Sequence, residues 1–417
     1  MLLLGLVGLL LLLLLLRQPV LVLLIAALLY AYLVWGDAAL RFMVLDAWNA
    51  LNREVLLSIP LYLLAGNLMS RGSMAQRITA LLQALTSGVP GGLALAAVLA
   101  CAVFAAMTGS STVTLLAVGA VLYPALISAG YDRLLSIGLL CAAGTLGIII
   151  PPSIPLILYG VMTNTSIVDL FYAGLGPALL LVFLLSVYVL WRCRNMPPVV
   201  ASADFAVLWR RAFGALLAPG LVLGGIYSGY FTATEAAAVA VAYTLVLQVF
   251  IYREMDWVAV GAVVFDTTRL IGSLFPVLML AVCLNMFLTF QQLPEQWVAE
   301  ILERVDGVPL FLLLTNLVLL VTGSVVDIGS AILILAPLLQ PVAVQLGVDS
   351  VHFGIMMIVN LEIGYLTPPM GLNLIVAMGA FQASFNEVCR AALPFIGLLL
   401  LGLVVVALVP QLTLFLL

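Results

Sequence analysis

The chain contains no lysine. All 14 of its basic residues are arginines, it has one histidine, and with 18 acidic residues only 8% of its 417 residues are charged. An average soluble domain is about 25% charged, so too little polar surface exists here to coat a water-soluble globule. A net charge of −4 with no basic stripe excludes a nucleic-acid partner. Cysteines are few and dispersed: Cys101, Cys141, Cys193, Cys283 and Cys389 form no C-x-x-C pair and read as buried thiols, not disulfides or metal ligands. Long polar connections are missing as well. The only one runs from Arg192 to Arg211, contains Met196-Pro197-Pro198 and carries four arginines.

What fills the chain is apolar. It is 65% hydrophobic with a mean hydropathy of +1.32, and at roughly 20 residues per span it has room for about ten to twelve crossings. A membrane β-barrel would alternate apolar and polar residues in ~10-residue pieces, whereas these runs are continuous and rich in Leu and Ala. The fold class expected is an all-α polytopic membrane protein. Apolar runs cover about 2–16, 20–35, 56–70, 93–128, 134–163, 171–191, 213–228, 236–252, 271–290, 308–346, 352–382 and 392–417. The Leu-rich start, Met1 to Leu16, lacks a basic n-region and a small-residue cleavage site before Arg17, so it reads as a retained span.

Two runs carry an interruption. Leu93 to Met107 is followed by Thr108-Gly109-Ser110-Ser111-Thr112 and a second apolar stretch to about Ile127. Fifteen helical residues rise about 22 Å, short of a ~30 Å hydrocarbon core. Pro309 to Val321 breaks in the same way at Thr322-Gly323-Ser324-Val325-Val326-Asp327 and resumes to Leu346. Both read as re-entrant hairpins, 93–128 and 308–346, with polar tips inside the bilayer. Irregular backbone is tolerated there only where protein or a wet cavity surrounds it. Two ordinary spans joined by a tight turn are the alternative.

Each hairpin is followed by a double proline within an apolar run: Gly144 to Pro152 in the run 134–163, and Gly364-Tyr365-Leu366-Thr367-Pro368-Pro369 in the run 352–382. Pro151 and Pro368 lie 217 residues apart; so do Asp132 and Asp349, Gly147 and Gly364, and Pro177 and Pro394, while Pro60 and Pro276 lie 216 apart. The chain therefore reads as two structural copies, 1–191 and 213–417, joined by a connecting loop over 192–212. Cytoplasmic loops are enriched in arginine, which puts that loop inside. Five crossings in the first copy then invert the second. Eleven arginines fall inside and only Arg41, Arg53 and Arg304 outside, with both termini extracytoplasmic. Inverted repeats with paired discontinuous helices are a signature of secondary transporters, whose sites lie at the breaks.

The breaks have chemistry. A proline has no N–H and leaves the carbonyl four residues earlier without its helical partner. Pro151 and Pro152 are thus expected to free the carbonyls of Gly147 and Ile148, and Pro368 and Pro369 those of Gly364 and Tyr365. Unsatisfied groups of this kind cost several kcal/mol each in hydrocarbon. A bound Na⁺ would satisfy several at once, with hydroxyls from Ser153, Thr367 or the tips (Ser110, Ser111, Thr112, Thr322, Ser324); kinks satisfied by neighbouring helices and water are the alternative. Asp327, the only carboxylate within a hairpin, is expected to face a cation or substrate hydroxyl, or to cap the return helix. Half-helix N-termini suit a carboxylate substrate. Asn373 would bond substrate or a neighbouring helix. Glu362, Asp266 and Glu235 fall near expected membrane boundaries and are weaker candidates, and His352, opening a span at an interface, reads as a satisfied boundary residue.

The stretches Leu64 to Gly72, Thr108 to Ser111, Gly144 to Tyr159, Thr232 to Ala238, and His352-Phe353-Gly354 through Thr367-Pro368-Pro369-Met370-Gly371-Leu372-Asn373-Leu374 together resemble the large membrane subunit of the TRAP (tripartite ATP-independent periplasmic) transporters, over nearly the whole chain and in order. The resemblance implies an elevator-type, Na⁺-coupled importer of small organic acids in a bacterial inner membrane. It also implies two partners, a small four-helix membrane subunit and a periplasmic substrate-binding protein. Carried over, one Na⁺ site would use Gly323, Gly364, Thr367 and Met370, largely through carbonyls, beside Asp327. The other would use Ser110, with Gly109 beside it, Gly147, Ile150 and Ser153. Ser111, Thr112, Pro152, Thr322, Ser324 and Asn373 are left to line the substrate. The chain departs from the family at Asn67, often Glu, at Gly144, often Ser, and at Ile148, often Pro; the second change bears on a hydroxyl ligand at the first site. A C4-dicarboxylate is the default substrate, with sialic acid, keto acids, ectoine or sulfonates as others. The rivals are a stand-alone ion-coupled exchanger and an intramembrane enzyme. For the latter no Gly-x-Gly-Asp, His-Glu-x-x-His or Gly-x-Ser-x-Gly motif is present, and no P-loop for nucleotide.

Overall fold

The computed structural model describes residues 18–34, 51–198, 204–291 and 307–417, together with 9, 12, 13, 16, 45 and 47–49. Most of the first apolar run, with Arg17, Arg41 and Arg304, lies outside the described residues. Among those residues the regular structure is helical: α1 (Val20–Val34), a 3₁₀ turn (Glu54–Leu57), α2 (Ser58–Arg71), α3 (Met74–Leu85), α4 (Gly92–Thr108), α5 (Ser111–Ser128), α6 (Arg133–Ile149), α7 (Ile154–Thr163), α8 (Ile167–Arg192), α9 (Phe205–Tyr227), α10 (Ala233–Leu245) continued by a π-helical stretch (Val246–Ile251), α11 (Trp257–Phe290), α12 (Gly307–Val325), α13 (Ile328–Gln345), α14 (Ser350–Gly364), α15 (Leu372–Phe381), α16 (Phe385–Leu408) and α17 (Gln411–Leu414). Eight are long and apolar enough to cross a membrane, ten if each of two bent pairs is one span. The chain is a multi-pass membrane protein.

The two stretches singled out by their polar interruptions fold alike, as hairpins α4–α5 and α12–α13, each followed by an interrupted helix, α6–α7 and α14–α15. Local chemistry sets the starts. Asp132 caps α6 by accepting from the Leu135 N–H at 2.9 Å. Its counterpart Asp349 caps α14, accepting from the amides of Val351 at 2.8 Å and His352 at 3.1 Å. The stops are the double prolines, both cis in the structure. Pro177 and Pro394 sit inside α8 and α16, Pro60 and Pro276 inside α2 and α11.

The interrupted helices form the centre of the fold: every residue from 136 to 162 and from 351 to 366 is buried. α6 packs on both arms of its own hairpin, and α14 on both arms of the other. The second halves cross over reciprocally, α7 against α13 and α15 against α5. Helices α1, α2, α10 and α11 pack largely on one another beside this centre, and α9 lies between α10 and α3. Two donors from that side reach the last turn of α7: the Arg53 guanidinium donates to the Val161 carbonyl at 3.3 Å and the Asn285 amide to the Met162 carbonyl at 3.0 Å. Both satisfy carbonyls that a helix C-terminus leaves without intrahelical partners.

Several boundaries differ from the sequence reading. The helix α3 carries Gln76, Arg77 and Gln83, so hydropathy hides it; it leaves α2 at a bend of 67°. The polar connection is shorter than 192–212, because α9 already begins at Phe205, capped by Asp204; residues 199–203 lie outside the described set. The run 271–290 is only the second half of α11, whose 34 residues make a helix about 51 Å long. Its first half carries Asp266 and Arg269, which break the apolar run without breaking the helix.

Candidate functional site

At the first break, hairpin backbone meets helix backbone. Gly109 turns the chain at the tip with φ 58°, and a Cβ there would stand 2.6 Å from the Pro152 carbonyl oxygen. A Cβ on Gly147 would stand 2.5 Å from the Ser110 carbonyl oxygen and 2.8 Å from the Thr114 hydroxyl. Only glycine allows this approach. The Thr114 hydroxyl donates to the Ser110 carbonyl at 2.8 Å, and the Thr108 and Thr114 hydroxyls are 2.8 Å apart. Ser153 caps α7, accepting from the Leu156 N–H at 3.5 Å while its hydroxyl donates to the Ile148 carbonyl. Ile150 is buried beside it.

The second break repeats the approach with a different polar pattern. A Cβ on Gly364 would stand 2.6 Å from the carbonyl carbon of Gly323. The Ser324 carbonyl accepts from the amides of Met370 and Gly371, both at 3.2 Å. Thr367 donates its hydroxyl to the Ile363 carbonyl at 2.8 Å. Asp327 is exposed and caps α13, accepting from the Ser330 N–H at 2.8 Å; the neighbouring Ile328 N–H donates to the Tyr365 hydroxyl at 2.9 Å. Capping is thus the role the geometry gives Asp327. The tip is also shorter than Thr322–Asp327. The Thr322 and Ser324 hydroxyls donate back to the carbonyls of Val318 and Val321, at 2.8 and 2.7 Å, and α12 stays helical to Val325.

The expectation of four freed carbonyls needs correction. The Ile148 carbonyl accepts from Ser153, that of Gly364 from the Thr367 N–H at 2.9 Å, and that of Tyr365 from the Asn373 N–H at 3.2 Å. Of the four, only the Gly147 carbonyl has no such donor; the turns after each break supply local donors to the other three. Access differs too. Pro151, Pro152 and Ser153 are buried, whereas Pro368, Pro369 and Met370 are exposed and Thr367 is half-buried.

The two hairpin-and-break units meet at their helix starts. Ser111, the first residue of α5, donates its hydroxyl to the Asn373 side-chain oxygen at 3.1 Å. Both residues are buried, and the Asn373 amide nitrogen has no partner. Two helix N-termini, each a positive dipole end, therefore converge within one hydrogen bond; at α15 the amides of Gly371, Asn373 and Leu374 already donate to the carbonyls of Ser324, Tyr365 and Gly371. Thr112 follows Ser111 in the same turn, and Pro152 presents its carbonyl to the tip at Gly109. Thr322 and Ser324 stand on the opposite hairpin, joined to α15 through the Ser324 carbonyl. The sites expected for cations and for substrate are thus contiguous. Oxygen donors and amides of this kind suit a hard monovalent cation and a carboxylate. The described residues hold no group of three or more His, Cys, Asp or Glu side chains fit for a transition metal.

Glu362 is 1% exposed, in the last turn before the second break, and neither carboxyl oxygen has a hydrogen-bond partner. The Thr145 hydroxyl of α6 faces it, and Thr145 and Glu362 are themselves 217 residues apart. That spacing was the available signal. Glu235 instead completes a capping box with Thr232 at the start of α10, Asp266 pairs with Arg71 at 2.7 Å on an exposed face, and His352 is buried with its Nδ1 2.9 Å from the Thr413 hydroxyl.

Comparison with known proteins agrees with this geometry. Residues 7–412 match the family model described as the tripartite ATP-independent periplasmic transporter, DctM component. The C4-dicarboxylate TRAP transporter large permease protein DctM of Pseudomonas aeruginosa is 38% identical over 386 residues, covering 92% of this chain and 90% of that protein. The isethionate TRAP transporter permease protein DctMQ of Oleidesulfovibrio alaskensis is 33% identical and covers 95% of this chain, which in turn spans 63% of that longer protein. Among solved structures, the YdaH transporter of Alcanivorax borkumensis superposes with a TM-score of 0.64 at 17% identity, covering 90% of this chain and 89% of that one, a likeness of fold. With its two hairpin-and-break units and a match along almost its entire length, the chain belongs to the large permease (DctM) family of the TRAP transporters.

Proposed function

We propose that the chain is the carrier subunit for Na⁺-coupled import of a small organic acid, with a C4-dicarboxylate as the first candidate and no enzymatic step. The observation that carries this reading is the backbone-to-backbone seating of each hairpin tip on a double-proline break, at Gly147 with Ser110 and at Gly364 with Gly323. One cation would sit among Gly109, Ser110, Gly147, Ile150 and Ser153, the other among Gly323, Gly364, Thr367 and Met370, near Asp327. The donors fit: the Gly147 carbonyl is unpartnered, and every hydroxyl named retains lone pairs. Bound Na⁺ supplies the positive charge that ties these oxygens together and completes the substrate site.

The substrate carboxylate would meet the amide ends of α5 and α15 with Ser111, Thr112, Asn373 and the Pro152, Thr322 and Ser324 edges around it. The hairpins and interrupted helices pack mainly on one another, which supports their moving together as an elevator against α1, α2 and α9–α11. The first copy would then be the inverse of the second in a bacterial inner membrane, with both termini periplasmic. The partners would be a small four-helix membrane subunit and a periplasmic substrate-binding protein; the permease named DctMQ, longer than this chain, is consistent with a second membrane segment joined to it.

The test is uptake of labelled succinate by proteoliposomes holding this chain and its small subunit, with the binding protein added outside. Uptake is expected only with an inward Na⁺ gradient and only with the binding protein. Equal uptake in choline would overturn the Na⁺ reading, and full uptake without the binding protein would make the chain a stand-alone exchanger.

A further inference from the structure

Thr145 and Glu362 occupy the same place in the two copies and face each other across the contact between α6 and α14. Both are buried, at 0% and 1% exposure. Thr145 lies two residues before Gly147 and Glu362 two residues before Gly364, the glycines on which the two hairpin tips rest. The pair therefore places two polar side chains between the two cradles, one short step of helix from each, with no hydrogen bond closed between them. Its surroundings are apolar: Leu146, Ile149, Ile358 and Leu361 are all buried nearby on the same two helices. The Thr145 hydroxyl donates to the Ala142 carbonyl at 2.6 Å, which holds it in place, and no charged side chain stands against the Glu362 carboxyl.

A carboxyl placed there without a partner at good geometry is costly, and stability alone would favour a leucine. Helices are stiff over one turn, so a shift that a ligand imposes on Gly147 is felt at Thr145, and one imposed on Gly364 is felt at Glu362. Two sites that bias one shared contact have coupled affinities, by linkage in both directions. We propose that Thr145 and Glu362 are positioning residues that couple the two cradles, so that a cation in one raises the affinity of the other. The inference rests on reading the cradles as Na⁺ sites.

The experiment is a Na⁺ titration of uptake by the complete reconstituted transporter, in which the slope of the binding curve is the readout. The wild type is expected to give a Hill coefficient near two. Thr145→Val, which keeps the volume and removes the hydroxyl, and Glu362→Leu are each expected to lower it to about one and to raise half-saturating Na⁺ by about 5-fold or more. Thr145→Ser and Glu362→Gln, which keep the polar contact, are expected to retain the wild-type slope, and the double variant Thr145→Val/Glu362→Leu to be no worse than the weaker single one. A slope does not depend on how much protein folds, so a loss of yield alone leaves the readout intact. Wild-type slopes in the Val and Leu variants, or a wild-type coefficient of one, would overturn the coupling while sparing the Na⁺ sites. Wild-type uptake indifferent to Na⁺ would instead overturn the sites themselves.

Discussion

The hydroxyl of Ser111 and the side-chain oxygen of Asn373 lie 3.1 Å apart, joining residues 262 positions distant in the chain. This is a side-chain hydrogen bond between α5 and α15 at the place where the two helices begin. Ser111→Ala removes the donor and leaves a buried amide with no partner at either end, which costs about 1–3 kcal/mol. The expected outcome is a lower melting temperature of the solubilised complex and a raised KM for uptake. An unchanged KM would detach this bond from the substrate site.

The glycine contacts give a sharper test. Gly147→Ala and Gly364→Ala put a methyl 2.5 and 2.6 Å from backbone atoms that cannot swing aside, so each hairpin tip must lift from its break. Na⁺-dependent uptake should fall by more than about 10-fold in either variant, as expected for overpacking of 1–3 kcal/mol at a functional contact. Gly272→Ala and Gly397→Ala, where an added Cβ meets nothing within 4 Å, serve as controls and should transport normally.

Thr367 carries the hydroxyl nearest the open break and donates it to the Ile363 carbonyl. Thr367→Ala should raise the Na⁺ concentration for half-maximal uptake by about 5-fold, the worth of one hydrogen bond of about 1 kcal/mol, and Thr367→Ser should restore it. Flux measured against Na⁺ at saturating substrate decides this; no change in Na⁺ dependence removes Thr367 from the site.

Outside the spans, Glu254 gathers the Ser73 amide at 2.8 Å, the Ser73 hydroxyl and the Arg77 guanidinium at 2.7 Å. Burial alone would push its carboxyl up, but the hydrogen bonds from Ser73 and Arg77 and the charge of Arg77 outweigh that and hold it below the usual carboxylate range. A depressed native pKa stabilises the fold above the unfolded value and loses that contribution as the pH falls through the native one. Melting temperature should therefore drop below about pH 4.5, and Glu254→Gln should flatten that acid limb while lowering the plateau at neutral pH. Parallel acid limbs in the two proteins would assign the drop to other groups.

Hydropathy and proline placement made much of this fold readable. The interrupted runs marked both hairpins, and the double prolines marked both breaks, because missing N–H groups act locally. Tertiary events were harder to read. α3 escaped because Gln76, Arg77 and Gln83 dilute its apolar face. Asp266 and Arg269 hid the first half of α11, since charges end a hydropathy run without ending a helix. The burial of Glu362 between α6 and α14 is a tertiary event that its own stretch of sequence does not encode. The carbonyl of Gly364 looked free because its donor, the Thr367 amide, is supplied by a turn that sequence periodicity does not encode.

The two breaks are chemically related yet differ in access: Pro151, Pro152 and Ser153 are sealed, while Pro368, Pro369 and Met370 are bared. If the proposed cations bind, the one at the α14–α15 break lies next to exposed backbone, whereas the one beneath the α4–α5 tip lies among buried residues. The two would then exchange with solvent at different rates, while the direction of net transport is left to the gradients across the membrane.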